Sequence, residues 1–568
     1  MQSKILIIGG VAGGASAAAR IRRLDANAQI IMFERGEHVS FSNCCLPYHL
    51  SGTVENSDSL VLMTPERFAN QYDIEARTKS EVTAIHPESK KVTVRNLETG
   101  STYEESYDKL VLAPGANPIM PRSITGIGQT HVFSVRNVTD IKALKQYIDM
   151  NHITKAAVVG GGFIGVETAE NLKSAGLSVA LVEGGSQIMM PFDSDMVQIL
   201  HKEMMDNGVD LYLSSTLTEI KENTIVIKSG EESKTVEADV VVMAIGVAPE
   251  TGLAREAGLG IGGTGGILVN KNFQTTDPDI YAVGDAIESF NRILGRPGRL
   301  ALAGPAQKQA RAAANHMYGE FDRNQGFLGS SCIRVFEQNA ACTGLNEKTA
   351  KGAGISCDFA YVISPDKVGL MPDSHYMNFK LLFEVPTGRI LGAQAIGKGN
   401  TDKRIDVIAA VIAMGGTLED LKDLELCYSP VFGTARDVVN QAALVGLNLL
   451  NGRCRQVPVT AVRQLVESEA CIVDVREEPE FQAGHLKGAL NIPLSQLRRR
   501  MGEIPKDVPV YIHCRTGQRS YNAVCCLQGH GYRNVWNVSG SFLGVSLYEY
   551  FQDKAENRAP IVTEYNFK

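Results

Sequence analysis

The chain has 568 residues, 44% of them hydrophobic and 21% charged, with a formal net charge of −7. That length accommodates about three or four domains with substantial cores. The dispersed charge, without a basic block, excludes nucleic acid or an anionic membrane surface as the main partner and leaves small molecules.

The N-terminus, MQSKILIIGG, runs straight into a strand pattern with no leader, and no apolar run approaches the ~20 residues of a membrane span, so a cytoplasmic protein is expected. Residues 4–10, KILIIGG, read as a short apolar strand ending in glycines, ASAAARIRRLDA as an Ala-rich helix, and IIMFE as a second strand ending at Glu34, beside Arg35. Strand, glycine turn, helix, strand and acid form a dinucleotide-binding unit. Its glycines let the backbone approach a pyrophosphate at the helix N-terminus, and its acid accepts hydrogen bonds from a ribose. Gly9 and Gly14 fit the pattern G-x-G-x-x-G, whereas Val11 stands where its middle glycine belongs.

The unit recurs at AAVVGGGFIGVE, where Gly160, Gly162 and Gly165 complete the pattern and SVALVE ends at Glu183. Two units imply two dinucleotides. Glu183 is followed by Gly-Gly-Ser rather than a cation, which favours an unmodified ribose 2′-hydroxyl and hence NADH over NADPH. YDKLVLAPGANP, with Ala113 and Gly115, and ADVVVMAIGVAPE, with Gly246, are further apolar strands ending in glycine turns; DIYAVGDA carries Asp285 at the end of another.

This ordered set resembles the flavoprotein disulfide reductases that bind two dinucleotides. The resemblance covers residues 1 to about 450 and implies FAD in the first unit, with Asp285 on the flavin ribityl chain, and NADH in the second. The fold class expected is α/β, with two Rossmann-like domains, an α+β dimerisation domain and a C-terminal α/β domain. FAD binding falls to 1–150 and 252–322, NAD(P)H binding to 151–251 and dimerisation to 323–450, in a homodimer.

The eleven cysteines contain no C-x-x-C pair and no Cys/His spacing suited to zinc, so neither a disulfide framework nor a metal is expected. The stretch SFSNCCLPY carries Ser40, Phe41, Asn43, Cys44, Leu46, Pro47 and Tyr48 and closely resembles the coenzyme A-disulfide reductases, which use a single redox cysteine. In that resemblance Cys44 is catalytic, Asn43 beside it is counted with the catalytic residues and Cys45 fills a variable position. A lone thiol must be oxidised either to a sulfenic acid, as in a peroxidase or oxidase, or to a mixed disulfide with substrate. Ala12 and Asn43 replace the His and Ser of the sulfenic-acid relatives, which favours the mixed disulfide. Arg20, Arg22 and Arg23 are candidates for coenzyme A phosphates, with Ser40 and Phe41 as substrate contacts. Tyr428, in Y-S-P-V-F, matches the tyrosine that relatives bring across the dimer interface; a second expected tyrosine is missing from G-L-M-P-D at 369–373.

After a linker at 451–459, residues 460–568 resemble a rhodanese domain through D-V-R-E at 474–477, the G-H-x-x-G-A-x-N-I-P pattern from Gly484 to Pro493, and C-R-T-G-Q-R-S from Cys514. The resemblance implies that loop amides, the following helix N-terminus, Arg515 and Arg519 stabilise a thiolate and then a persulfide at Cys514. The spacing C-x4-R makes a smaller ring than the phosphatase C-x5-R and suits sulfur. The whole resembles a coenzyme A-disulfide reductase fused to a rhodanese, a group that includes NADH-dependent persulfide reductases. NADH-driven, FAD-dependent reduction of a persulfide, polysulfide or coenzyme A disulfide is expected, with coenzyme A as substrate or bound carrier. The alternatives are an NADH peroxidase or oxidase, and a sulfur carrier or redox sensor acting through a protein partner.

Overall fold

The computed structural model describes residues 2–567 and divides into two compact units, Met1–Ser186 with Tyr212–Phe327, and Gln187–Leu211 with Leu328–Lys568.

The first unit holds two parallel sheets. In one, the strands Ile280–Ala282, Lys109–Leu112, Lys4–Ile8, Gln29–Phe33 and Glu75–Arg77 lie side by side in that order. In the other, Ser178–Val182, Lys155–Val159, Val240–Met243 and Val132–Ser134 do the same. The central strands are apolar on both faces and almost fully buried, because their cores are shared with helices and with antiparallel strands, Ser80–His86 and Lys91–Asn96 in one case and Thr216–Ile220 and Thr224–Ser229 in the other. The first glycine turn leads into the helix Ala12–Leu24 and the second into Phe163–Ser174.

Glycine is obligatory at both turns. Gly9 has φ +97°, and a Cβ there would lie 2.1 Å from the Ala113 carbonyl oxygen; Gly160 has φ +113°, with Ala244 O at 2.3 Å. A Cβ at Gly14 would meet Gly9 O at 1.8 Å, and one at Gly165 would meet Gly160 O at the same 1.8 Å. Each pair therefore clamps its helix start onto its strand end.

In the second unit, five antiparallel strands in the order Ser331–Val335, Gln338–Gly344, Ile390–Gly397, Tyr376–Glu384 and Cys357–Pro365 carry the helices Thr401–Ala413 and Val438–Leu450. A separate parallel sheet, Gln456–Val457, Val535–Val538, Val510–His513, Cys471–Asp474 and Leu490–Asn491, forms the C-terminal layer. The two layers are joined: Gln456 donates to Phe359 O at 2.8 Å, and the absent side chain of Gly540 makes room for the Tyr361 ring.

The segment Gln187–Leu211, which the sequence reading places within residues 151–251, clusters with this second unit. Its helix Ser194–Asp206 packs along Ser541–Ala555, with the rings of His201 and Phe551 4.8 Å apart. Asp195 also ion-pairs with buried Lys380 at 2.8 Å, and Glu347 reaches the same ammonium at 2.6 Å. Burial alone would lower the Lys380 pKa; Asp195, Asp193 and Glu347 outweigh it and hold the lysine charged. Among the described residues, no helix is long and apolar enough to cross a membrane.

Candidate functional sites

The SFSNCCLPY stretch lies against the first glycine turn. Ser40, itself at φ 48°, donates its N–H to Gly10 O at 2.7 Å, and Phe41 bridges to Val61. Asn43–Cys45 then forms one 3-10 turn and Pro47–His49 a second. The second turn docks on the helix of the other dinucleotide unit: Ser51 donates to Asn171 Oδ1 at 2.7 Å, and Tyr48 hydrogen-bonds Glu167 one helical turn earlier.

Cys44 is surface-accessible, yet its thiol pKa is raised, first by desolvation and then by Glu167, Cys45 and Asp285. The turn thus gathers Cys44, Cys45 and two carboxyl groups from distant parts of the sequence. Asp285 follows the strand Ile280–Ala282, and burial raises its pKa. Glu167, which sequence reasoning missed, is pushed up to about 7 by burial and by Glu170, against the opposing hydrogen bond from Tyr48. Such a carboxyl group takes up and releases a proton near neutral pH. Its only sequence signal is its place two residues after Gly165.

The expected nucleotide sites keep open cradles. Glu34 accepts N–H bonds from Gly10 and Gly36, and Glu183 from Gly161 and Gly185. Neither Gly162 nor Gly115 has an atom within 4 Å of the Cβ position, so a ligand can approach the backbone there. Gly246 has φ +121° and only Ile119 near it, and its turn mirrors that of Gly115, since the strands Ala116–Pro118 and Val247–Pro249 pair. These features fit FAD and NADH. Arg35 lies 3.1 Å from Asn117 Oδ1 and 3.4 Å from Glu250.

Two of the three proposed phosphate-binding arginines are committed elsewhere. Arg20 donates to Asn315 and Glu320, and Arg22 caps the carbonyls of Tyr72, Asp25, Ala26 and Asp73. Only Arg23 is exposed on the helix surface. Tyr428 is exposed, with Val431, Phe432 and Leu370 in the same unit. Pro430 O accepts the Val368 N–H, which links the Tyr428 segment to the 369–373 loop.

At the end of the strand Val510–His513, Cys514 is buried at the start of the loop leading into the helix Gln518–Gly529. Gly517 donates its N–H to Cys514 Sγ at 3.1 Å, and the Ser520 hydroxyl lies 3.5 Å from the same sulfur. Ser541, at the start of the last helix, accepts the Cys514 N–H at 3.2 Å and stands 3.9 Å from Sγ. The sulfur is thereby surrounded by donors at a helix N-terminus, an arrangement that favours an anion. Ser541 was invisible to motif reading because it lies outside the loop.

The two arginines do not act alike. Arg519 is held bidentately by Glu480 at 2.6 and 2.7 Å, and its pKa is raised, first by that pair and to a lesser degree by Cys514. Arg515 donates to Asn566 O at 2.8 Å; burial lowers its pKa against the Tyr376 phenol nearby. Behind the loop, Asp474 and Arg476 form a buried ion pair at 2.6 Å, while His485 stacks on Phe481.

The family description "Pyridine nucleotide-disulphide oxidoreductase" matches residues 3–310, and the dimerisation domain of the same family matches 331–438. The coenzyme A disulfide reductase of Staphylococcus haemolyticus is 32% identical over 440 residues, 77% of this chain and 98% of that protein. The chain belongs to the pyridine nucleotide-disulphide oxidoreductase family.

As a member of that family it is a flavoprotein oxidoreductase, and its C-terminal addition matches the rhodanese-like domain over 459–547. Among solved structures, reduced Bacillus anthracis CoADR-RHD is 41% identical with a TM-score of 0.93, covering 98% of this oxidoreductase and 99% of that chain. The NAD-dependent persulfide reductase from A. fulgidus is 32% identical with a TM-score of 0.90, covering 95% and 99%.

Proposed function

We propose that the protein is an FAD-dependent, NADH-driven reductase of persulfides, polysulfides or coenzyme A disulfide, with Cys44 as its single redox thiol and Cys514 as a sulfane-sulfur acceptor. The observation that carries this reading is the pairing of two differently built sulfur sites on one chain: an accessible thiol on a 3-10 turn whose stretch lies against the glycine turn of the first dinucleotide unit, and a buried thiol ringed by hydrogen-bond donors. The names of the Staphylococcus haemolyticus and A. fulgidus relatives support it.

Gly9, Gly14, Gly115, Glu34 and Asp285 hold FAD; Gly160, Gly162, Gly165, Gly246 and Glu183 hold NADH. When bound, these cofactors supply the two electrons that restore Cys44 after each turnover. The Cys44 thiolate attacks a sulfur of the acceptor, the acceptor's S–S bond breaks, and hydrosulfide or a thiolate leaves. Glu167 takes up and releases a proton beside this turn near neutral pH, and Tyr48 fixes its carboxyl group. Asn43 opens the turn that presents the thiol.

The reductase works as a homodimer in the cytoplasm, where thiols stay reduced. Exposed Tyr428, Val431 and Phe432 on the dimerisation domain support the dimer, with Tyr428 serving the partner's site. Coenzyme A is a substrate or bound carrier that Arg23, Ser40 and Phe41 meet. Mass spectrometry of the protein as isolated tests this reading by looking for coenzyme A or added sulfur on Cys44. A stable sulfenic or sulfinic acid there, with no sulfur adduct under any preparation, would point to a peroxidase instead.

A further inference from the structure

The Cys514 cavity, of about 340 Å³, carries a carboxylate in its wall. Glu480 lines it together with Cys514 and Arg519, and two contacts fix its place on the short helix Glu478–Gln482. Its Oε2 accepts the Glu477 N–H at 3.4 Å, which closes a capping box at the start of that helix. Both of its oxygens accept from Arg519, at 2.6 and 2.7 Å, so the two groups meet fork to fork. The guanidinium also holds the Glu480 carboxyl below the usual carboxylate range, and the group is therefore ionised at neutral pH. Glu480 thus brings a negative charge to the thiol from outside the loop that carries it.

This charge bears on what the thiol takes sulfur from. A loop of amides and an arginine at a helix N-terminus attracts compact anions, and a doubly charged donor such as thiosulfate gains most from it. Glu480 works against that attraction twice: it occupies two N–H groups of Arg519, and its own charge repels an anion entering the same cavity. Coulomb energy is linear in the charge of the donor. The penalty on a dianion is therefore double that on a monoanion, and it vanishes for a neutral molecule.

We infer that Glu480 is a specificity-determining residue of the Cys514 site, selecting organic persulfides of low charge over the thiosulfate dianion. This rests on the reading of Cys514 as a sulfane-sulfur acceptor. In the step itself the Cys514 thiolate attacks the outer sulfur of R–S–SH. The Sγ–S bond forms as the bond between the donor's two sulfurs breaks, the electron pair leaves with R–S⁻, and the proton stays on the transferred sulfur. No net electrons are exchanged.

The test uses the full chain carrying Cys44→Ser, without NADH, mixed with thiosulfate or with the persulfide of N-acetylcysteine amide, which bears at most one negative charge, and quenched by alkylation. Mass spectrometry then reads the rate of persulfide formation on the Cys514 peptide against donor concentration. Glu480→Gln should lower the half-saturating concentration of thiosulfate about tenfold and that of the organic persulfide about threefold or less, since halving the charge takes the square root of the ratio. Added salt should shrink the thiosulfate shift. Arg519→Gln leaves the Glu480 charge uncompensated, so it should move both donors the opposite way, thiosulfate again the more. Glu480→Asp keeps the charge and should stay within about threefold of the parent for both donors. Arg515 also lines the cavity and is the same in every variant. Weaker saturation by both donors in Glu480→Gln, equal shifts for the two, or no shift for either would overturn the role of Glu480. Absence of Cys514 persulfide in the parent with both donors would overturn the acceptor reading itself.

Discussion

Glu34 and Glu183 hold the same position in two copies of one turn. Each carboxylate accepts the N–H of the residue after its first glycine, from Gly10 at 3.0 Å and from Gly161 at 2.6 Å. Each also accepts the N–H two residues beyond itself, from Gly36 at 2.8 Å and from Gly185 at 2.6 Å. The carboxylates are thereby oriented before any ribose arrives. At Glu183 the negative charge opposes a 2′-phosphate, and Gly184 and Gly185 offer no cation to offset it. NADH should therefore be preferred to NADPH, and Glu183→Ala should narrow the ratio of kcat/KM by roughly 1 to 2 kcal/mol, or about tenfold. Equal kcat/KM for the two nucleotides in the unaltered protein would contradict this.

Cys44→Ser changes one atom on an accessible turn, so nucleotide binding and folding should survive while reduction of disulfides and persulfides disappears. Cys45→Ser should retain near-normal turnover. Steady-state NADH oxidation by the two variants separates the thiols; the reverse outcome would move the redox role to Cys45.

Glu167 sets the pH behaviour of the turn. Its pKa of about 7 lies above the ordinary 4.5, so the folded protein binds a proton there that the unfolded chain has lost between these values. The stability this group contributes is fully present below pH 4.5 and is lost as pH rises through 7. Above pH 7 the ionised carboxylate also opposes the Cys44 thiolate. Glu167→Gln should therefore flatten that part of the stability profile. It should also move the pH midpoint of Cys44 alkylation by iodoacetamide downwards, read on the Cys44 peptide. An unchanged midpoint would remove Glu167 from the site.

How far the sequence discloses these sites follows from how local their physics is. Gly9, Gly14, Gly160 and Gly165 are legible because each contact that forbids a side chain arises within one strand-turn-helix unit or beside it. The Cys514 loop is legible for the same reason, its amides and Arg519 lying within six residues of sequence. Glu167 is not, since its proton affinity comes first from burial, which tertiary packing sets, and only then from Glu170 three residues along the same helix. Arg20 reads as a phosphate ligand from sequence, yet Asn315 and Glu320, some three hundred residues away, take its guanidinium. The helix Ser194–Asp206 follows the second dinucleotide unit in sequence, but its buried His201 and Asp195 belong to contacts made with residues after 340.

Ser520 and Ser541 place their hydroxyls by Cys514 Sγ at 3.5 and 3.9 Å. Replacing Ser520 by Ala removes one donor to a sulfur anion and should slow persulfide formation at Cys514 about fivefold, the worth of roughly one net hydrogen bond. The Cys514 peptide read by mass spectrometry after a short exposure to thiosulfate gives the rate. An unaltered rate would show that Gly517 N–H and the helix terminus suffice.

The central claim, that electrons from NADH reach sulfane sulfur through Cys44, is tested most directly by anaerobic steady-state NADH oxidation with a small organic persulfide. Hydrosulfide release is followed alongside, for the unaltered protein, Cys44→Ser and Cys514→Ser. The account predicts one hydrosulfide per NADH, complete loss in Cys44→Ser, and turnover in Cys514→Ser close to that of the unaltered protein. NADH consumption that proceeds with hydrogen peroxide or oxygen in place of the persulfide, or that survives in Cys44→Ser, would contradict it.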